Sequence, residues 1–160
     1  MRILNYKIIL IIIFVLSESR SNDFALIHST YFSNLLVKTA VDNKSHKNGL
    51  MRIKKLKNYN GMLFIYNSPQ IVKFWMHETF IPLDIVFIDE ENVIISVKEG
   101  IPLDKKLISS ETDIIAVLEI PKGCAKKLKI EKGEKVFWME KKEIDIKNIR
   151  YFHCLNSKEK

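Results

Sequence analysis

The stretch FWMHETFIPLDIVFID at 74–89 concentrates side chains that could do chemistry. His77 and Glu78 are adjacent, and Asp84 follows within the same stretch. An imidazole with carboxylates suits a zinc site or general acid–base catalysis. A helical HExxH zinc site is disfavoured, because isoleucine replaces its second histidine and Pro82 opposes a helix. A looser metal site would need a third ligand, such as Glu78 or His46, brought close by folding.

Two further catalytic arrangements would use other residues. Ser109, Ser110 and Cys124 lack the sequence context of an activated nucleophile. Asp84 and Glu119 are a conceivable carboxylate pair for glycoside hydrolysis. The structural alternative is that each acid binds backbone N–H groups, Glu119 at the start of a short helix near Gly123 and Asp84 at a strand start. Because no catalytic set is complete, we expect a non-enzymatic protein without a metal or cofactor.

The aromatic residues around the histidine suggest a binding face. Side chains alternate along a strand, so Trp75, His77 and Thr79 share a face if the strand continues through them. Tryptophan offers a flat surface on which an apolar ligand or a sugar stacks. We therefore predict ligand binding by Trp75, His77 and Thr79, with Asp84 as a further candidate.

The remaining elements are short and mostly β. Leu35 to Ala40 is typical of a strand, and Asp42 is placed to cap a short helix that Gly49 ends. From Gly61 onward, short apolar runs alternate with turn residues. The pattern predicts a mainly β domain, a compact sandwich, jelly roll or distorted barrel of six to seven short strands with two short helices. Four positions are interpreted as structural turn or cap residues: Gly49, Gly61, Pro82 and Gly123.

The first residues have the pattern of a secretory signal. Arg2 and Lys7 precede nine apolar residues, Ile8 to Leu16, and small serines follow. Nine residues are too few to span a bilayer, which needs about 20, so we expect no permanent transmembrane anchor. The sequence predicts a signal peptide over 1–19, cleavage near 19–21, and a secreted or periplasmic mature protein.

The net charge and the two cysteines limit which partners and which cellular compartment are expected. The formal charge is +7, but the lysines are spread through every segment, so no nucleic-acid site is expected. Cys124 and Cys154 lack the spacing of a zinc site. An oxidising compartment would permit one disulfide between them, and the sequence leaves its formation open.

Four ordered blocks resemble the domain of unknown function 192 family: NGLM at 48–51, GMLFIY at 61–66, FWMHETFIPLDIVFID at 74–89 and AVLEIPKGCAKKLKIEKGEKV at 116–136. The resemblance covers 35–139, with a lead-in over 20–34 and a basic extension over 140–160. It implies a compact, mainly β domain, often secreted or periplasmic in bacteria, with no established activity. His77 and Glu78 depart from the family pattern, as do Arg52 and Ile53.

These observations favour an extracytoplasmic single-domain binding module. Its partner would be a small molecule, a glycan or an envelope protein. One alternative is a hydrolase or metal-dependent enzyme that uses His77 with Asp84 or Glu119. Another is a structural envelope-interaction module without a binding pocket.

Overall fold

The computed structural model of the chain describes residues 24–141 and Cys154. The predicted signal peptide and nearly all of the C-terminal extension lie outside these residues. Along the described part, the elements are β1 (Phe24–Ser29), β2 (Leu35–Ala40), α1 (Asn43–Asn48), β3 (Met62–Gln70), β4 (Lys73–Phe74), β5 (Leu83–Ile88), β6 (Ile94–Gly100), β7 (Ile108–Ser109), β8 (Ile114–Pro121), α2 (Cys124–Leu128) and β9 (Val136–Lys141). Neither of the two helices in residues 24–141 is long and apolar enough to cross a membrane.

Seven strands form one sheet in the order β6-β5-β8-β3-β2-β1-β9, and β4 pairs with β7 separately. All pairs in the large sheet are antiparallel except β2 with β3. The sheet curls until its edges meet at one end, where Val136 N–H donates to the Asn92 carbonyl at 3.0 Å. The fold is a distorted, barrel-like, mainly β domain, as the sequence predicted.

The two faces of the sheet carry separate hydrophobic clusters. On β5, Ile85 and Phe87 belong to one cluster, while Val86 and Ile88 belong to the other. This is the alternation expected of a strand buried on both sides. We call the cluster that contains α2 and Cys124 the helix-side cluster. The opposite one, which includes residues of β4, is the cavity-side cluster.

The first helix forms where the sequence predicted it. The Asp42 carboxylate accepts from the N–H groups of Lys44 and Ser45 at 2.9 and 2.8 Å. These contacts satisfy two of the N–H groups that every helix start leaves free. Gly49 ends the helix with φ +47°, a conformation that a Cβ disfavours. Local chemistry alone therefore defines α1.

The segment interpreted as a lead-in contains a strand that the sequence did not predict. Phe24–Ser29 forms β1 between β2 and β9, with Ala25 and Ile27 fully buried. The alternation is present but rests on two apolar inward positions, one of them an alanine. Pairing on both sides supplies the stabilisation that local propensity lacks. The domain therefore begins before Leu35.

Candidate functional site

An open cavity of about 280 Å³ lies on the cavity-side face, between α1 and the strands β3, β4 and β8. Four aromatic side chains contribute to its wall: Phe64, Tyr66, Phe74 and Trp75. Its volume is just below the ~300 Å³ lower end of typical ligand pockets. The cavity therefore suits a small ligand.

Glu119 on β8 is the acidic side chain of this cavity. Its register partners are Met62 on β3 and Ile85 on β5, which places its side chain on the cavity-side face. Glu119 is only 5% exposed, and within the described residues its carboxyl has no hydrogen-bond partner. Burial raises the pKa of Glu119 to about 8, so the neutral acid predominates at pH 7. A buried carboxyl without a protein partner is an uncommon feature of a native fold.

Glu119 does not have the helix-stabilising role that the sequence suggested; Asp84 has it. The Ala125 N–H at the start of α2 donates to Asp84 Oδ2 at 2.9 Å. Asp84 is paired with Ile120, so it lies on the helix-side face and does not line the cavity. The prediction for Glu119 is wrong because adjacent strand residues point to opposite faces of the sheet. Ile120 faces α2, and Glu119 therefore faces away from it.

His46, on α1, is held at the cavity by backbone carbonyl groups of β2 and β3. Its Nε2 lies 2.9 Å from the Ala40 carbonyl oxygen and 3.1 Å from that of Ile65. Since carbonyl oxygens only accept, Nε2 carries a proton. The imidazole packs on the Tyr66 ring with centroids 4.7 Å apart. Burial, followed by the charge of Glu119, raises the pKa of Tyr66 to about 12, so Tyr66 keeps its O–H group at neutral pH.

Trp75 and Thr79 both line the cavity, but not as neighbours on one strand. β4 ends at Phe74, and the Thr79 N–H donates to the Met76 carbonyl in a turn where Glu78 has φ +55°. The expected continuation of the strand to Thr79 is therefore wrong. The turn leaves Trp75 45% exposed and buries Thr79. His77 and Glu78 lie within this turn.

His77 packs against Trp75 and is not part of the cavity lining. Its ring packs on the indole with centroids 5.1 Å apart, and its Nε2 is 4.0 Å from Glu78. The Arg52 guanidinium pairs with the Glu78 carboxylate at 2.5 Å, and the backbone N–H of Arg52 donates to the backbone carbonyl of Glu78. These contacts support the turn that carries Trp75. Among residues 24–141 and Cys154, no group of three or more metal-ligating side chains is assembled.

The candidate structural residues have distinct surroundings. A Cβ on Gly61 would lie 1.9 Å from the Glu119 carbonyl oxygen, so Gly61 permits close approach of two chain segments. A Cβ on Gly49 would lie 3.1 Å from the Phe64 ring, at the cavity wall. Gly123 caps α2 with φ +88°. The Pro82 carbonyl accepts from the Lys122 N–H at 3.0 Å.

Cys124 and Cys154 are joined in a disulfide, with Cα atoms 5.7 Å apart. Both cysteines are about 1% exposed and belong to the helix-side cluster. The bond therefore ties the C-terminal extension to α2, on the face opposite the cavity. The Asn60 side-chain oxygen accepts a hydrogen bond from the Cys154 N–H at 3.0 Å, which holds Cys154 in place as well.

Sequence reasoning missed much of the cavity. Tyr66, Lys73 and Phe64 were not singled out, and His46 was considered only as a metal ligand. Phe64 and Tyr66 share a face of β3, and the same parity rule applied to β8 selects Glu119 as a lone acid among apolar neighbours. The available signal was an acidic residue at a position that the strand alternation predicts to be buried, in an otherwise apolar strand.

Comparison with known proteins places the chain in a family. It belongs to the domain of unknown function 192 family, described as an uncharacterized ACR, whose model matches residues 26–146. A protein of unknown function from Novosphingobium aromaticivorans DSM 12444 shares 30% identity, with a TM-score of 0.64 over 72% of this chain and 84% of that one. A Sinorhizobium meliloti 1021 protein described as a "putative transcription regulator" shares 27% identity, with a TM-score of 0.65 over 72% and 92%. No curated protein matches the chain.

Proposed function

We propose that this protein is a non-enzymatic binding module that holds a small molecule in the cavity between α1 and the sheet. One observation carries the proposal: Glu119 is buried at an open cavity and its carboxyl has no hydrogen-bond partner among the described residues. Removing most of the water around a carboxyl that has no protein partner is unfavourable. A ligand that pairs with it would offset this cost.

We further propose that binding takes place outside the cytoplasm. The N-terminal charge and apolar pattern supports export. The Cys124–Cys154 disulfide supports an oxidising compartment, where such bonds persist. A fusion of residues 1–25 to a reporter that is active only after export would test the first point. A cytoplasmic reporter signal would contradict it.

A glycan or protein partner is less well supported than a small molecule. The cavity volume of about 280 Å³ is small, and its aromatic lining residues are buried or half-buried except for Trp75. The description of the Sinorhizobium protein as a transcription regulator does not lead us to propose DNA binding here. The two helices in residues 24–141 have six and five residues, too short to lie along a major groove as recognition helices.

Ligand-induced thermal shifts test the proposal. The purified chain is screened against monocyclic compounds, and hits are repeated on Trp75→Ala and on Phe137→Ala. Both are exposed aromatics, 45% and 43%, but Phe137 lies on β9 outside the cavity lining. We expect the shift to be lost in the Trp75 variant and kept in the Phe137 variant. Equal shifts in both folded variants would contradict binding in this cavity.

One observation favours an acid–base enzyme as a second candidate. A carboxyl with a pKa near 8 inside a cavity is suited to proton transfer at neutral pH. Glu119→Gln separates the two functions, because glutamine keeps a hydrogen-bonding group but cannot transfer a proton. Turnover of pooled esters, glycans or peptides that disappears in this variant, with ligand binding kept, would establish the enzyme. Asp84 lies on the helix-side face and does not line the cavity, so Asp84→Asn serves as the control.

A further inference from the structure

The charged groups that line the cavity are unbalanced. Lys47 on α1 and Lys73 on β4 line it from two elements, and Glu119 is its acidic residue. Both lysines are exposed, and within residues 24–141 neither has an acidic partner. Elsewhere on the domain, Lys98 pairs with Glu111 and Lys122 pairs with Glu99. The cavity therefore combines unpaired cations with an acid that burial keeps from ionising, and its potential is positive.

The buried end of the cavity offers hydrogen-bond donors. In its neutral form Glu119 presents an O–H group as well as a carbonyl oxygen. The Tyr66 side chain, on the neighbouring strand β3, lines the same space and keeps its O–H group. An ionised Glu119 would repel an anion, whereas the neutral acid pairs with an acceptor oxygen. The inner end thus accepts a polar but uncharged ligand atom.

The aromatic walls of the cavity favour a flat ligand. The indole of Trp75 packs on the His77 ring, and Trp75 remains 45% exposed. Phe64 and Phe74, which also line the cavity, meet edge to face with centroids 4.9 Å apart. A planar or ring-shaped ligand makes more contact with such walls than a branched chain does. Recognition of the ligand's ends falls to the lysines and to Glu119.

We propose that the cavity binds a small monocyclic organic carboxylate, with its anionic group held by Lys47 and Lys73, its ring on Trp75 and an acceptor oxygen at Glu119. The inference rests on the proposed function and adds the chemical class of the ligand. An aromatic acid and a uronic acid share this chemistry. Binding measurements with one acid of each kind distinguish these two sources.

Titration calorimetry at pH 7 with four probes tests the inference: 4-hydroxybenzoate, 4-hydroxybenzamide, glucuronate and glucose. Each pair differs mainly in its negative charge. We expect one or both acids to bind and their neutral partners to bind at least ten-fold more weakly. The double variant Lys47→Gln/Lys73→Gln should raise the Kd of that acid roughly ten-fold, as two partly exposed ion pairs would. The affinity of the unmodified protein should fall with added salt.

The matched control is Lys105→Gln/Lys106→Gln, which removes the same charge from exposed lysines outside the cavity lining. It should leave the Kd unchanged. If the neutral probes bind as tightly as the acids, or if both double variants weaken binding equally, the carboxylate inference is overturned while a binding cavity stands. If no probe binds, and the monocyclic screen finds no compound whose shift depends on Trp75, both proposals fall.

Discussion

Asp84 and Glu119 lie one register position apart on neighbouring strands and point to opposite faces of the sheet. Glu119 is paired with Ile85, and Asp84 with Ile120. Asp84 accepts the Ala125 N–H under α2, whereas Glu119 reaches the cavity. A glycosidase site that uses both carboxylates is excluded, because the sheet itself lies between them. The two acids therefore have separate roles, one in stability and one at the candidate site.

Glu119→Gln should change how stability depends on pH. Burial raises the folded-state pKa of Glu119 from 4.5 to about 8, so across that window the unfolded chain has lost a proton that the folded chain keeps. The free energy of unfolding of the unmodified protein should therefore fall as pH rises from 4.5 to 8, by up to about 1.4 kcal/mol per unit from this group. The variant lacks this contribution, so its stability relative to the unmodified protein should rise with pH. Urea unfolding at several pH values measures the difference.

Glu131→Gln is the control for that experiment, since Glu131 is exposed and lies outside the cavity. The ionisable neighbours of Glu119 at the cavity, which are Tyr66, His46, Lys47 and Lys73, are unchanged in both variants. Each variant therefore differs from the unmodified protein in one carboxyl only. Parallel stability curves for the Glu119 variant and the unmodified protein would show that Glu119 is not a proton-retaining buried acid.

Gly49→Ala should destabilise the domain more than Gly133→Ala. Both glycines have positive φ, +47° and +92°, so each substitution costs roughly 1 kcal/mol in backbone strain. Only at Gly49 does the new Cβ meet a packed ring, Phe64, at 3.1 Å, whereas Gly133 has open space. We expect an additional loss of about 1 kcal/mol at Gly49 from overpacking. Equal midpoints in urea would argue against close packing at that wall.

Asp84→Ala should lower the free energy of unfolding by about 1–3 kcal/mol, because the Ala125 N–H loses its acceptor. Asp84→Asn keeps a carbonyl oxygen there and should lose clearly less. Neither variant should alter ligand-induced thermal shifts, since Asp84 is on the helix-side face. A loss of binding in a stably folded Asp84→Asn protein would return this residue to the site.

Removal of the disulfide by Cys124→Ala/Cys154→Ala should destabilise the protein by about 3–4 kcal/mol in the chain-entropy description. The bridged residues are separated by 30 positions, and a loop of that size loses much freedom when closed. A reducing agent should lower the Tm of the unmodified protein and leave the Tm of the double variant unchanged. Thermal unfolding with and without reductant measures both effects. If reductant makes the cysteine thiols accessible to alkylation but leaves the Tm of the unmodified protein unchanged, a stabilising role of the disulfide is contradicted.

Local features of the fold were predictable because neighbouring residues determine them. Asp42 and Gly49 delimit α1 through contacts and a backbone conformation contained within eight residues. The alternation on β5 likewise follows from strand geometry. β1 was missed because part of its stability comes from pairing with β9, which is distant in sequence.

The sequence by itself determined the family, the mainly β architecture, the first helix and the alternating burial of the central strands. Only the tertiary structure decided which acid faces the cavity, that Trp75 and Thr79 reach it across a turn, and that His46, Tyr66 and Lys73 join them. The physical reason is that alternation fixes two faces for each strand but does not say what covers each face. Strand pairing and the packing of α1 and α2 on opposite sides gave Glu119 a cavity and Asp84 a helix start.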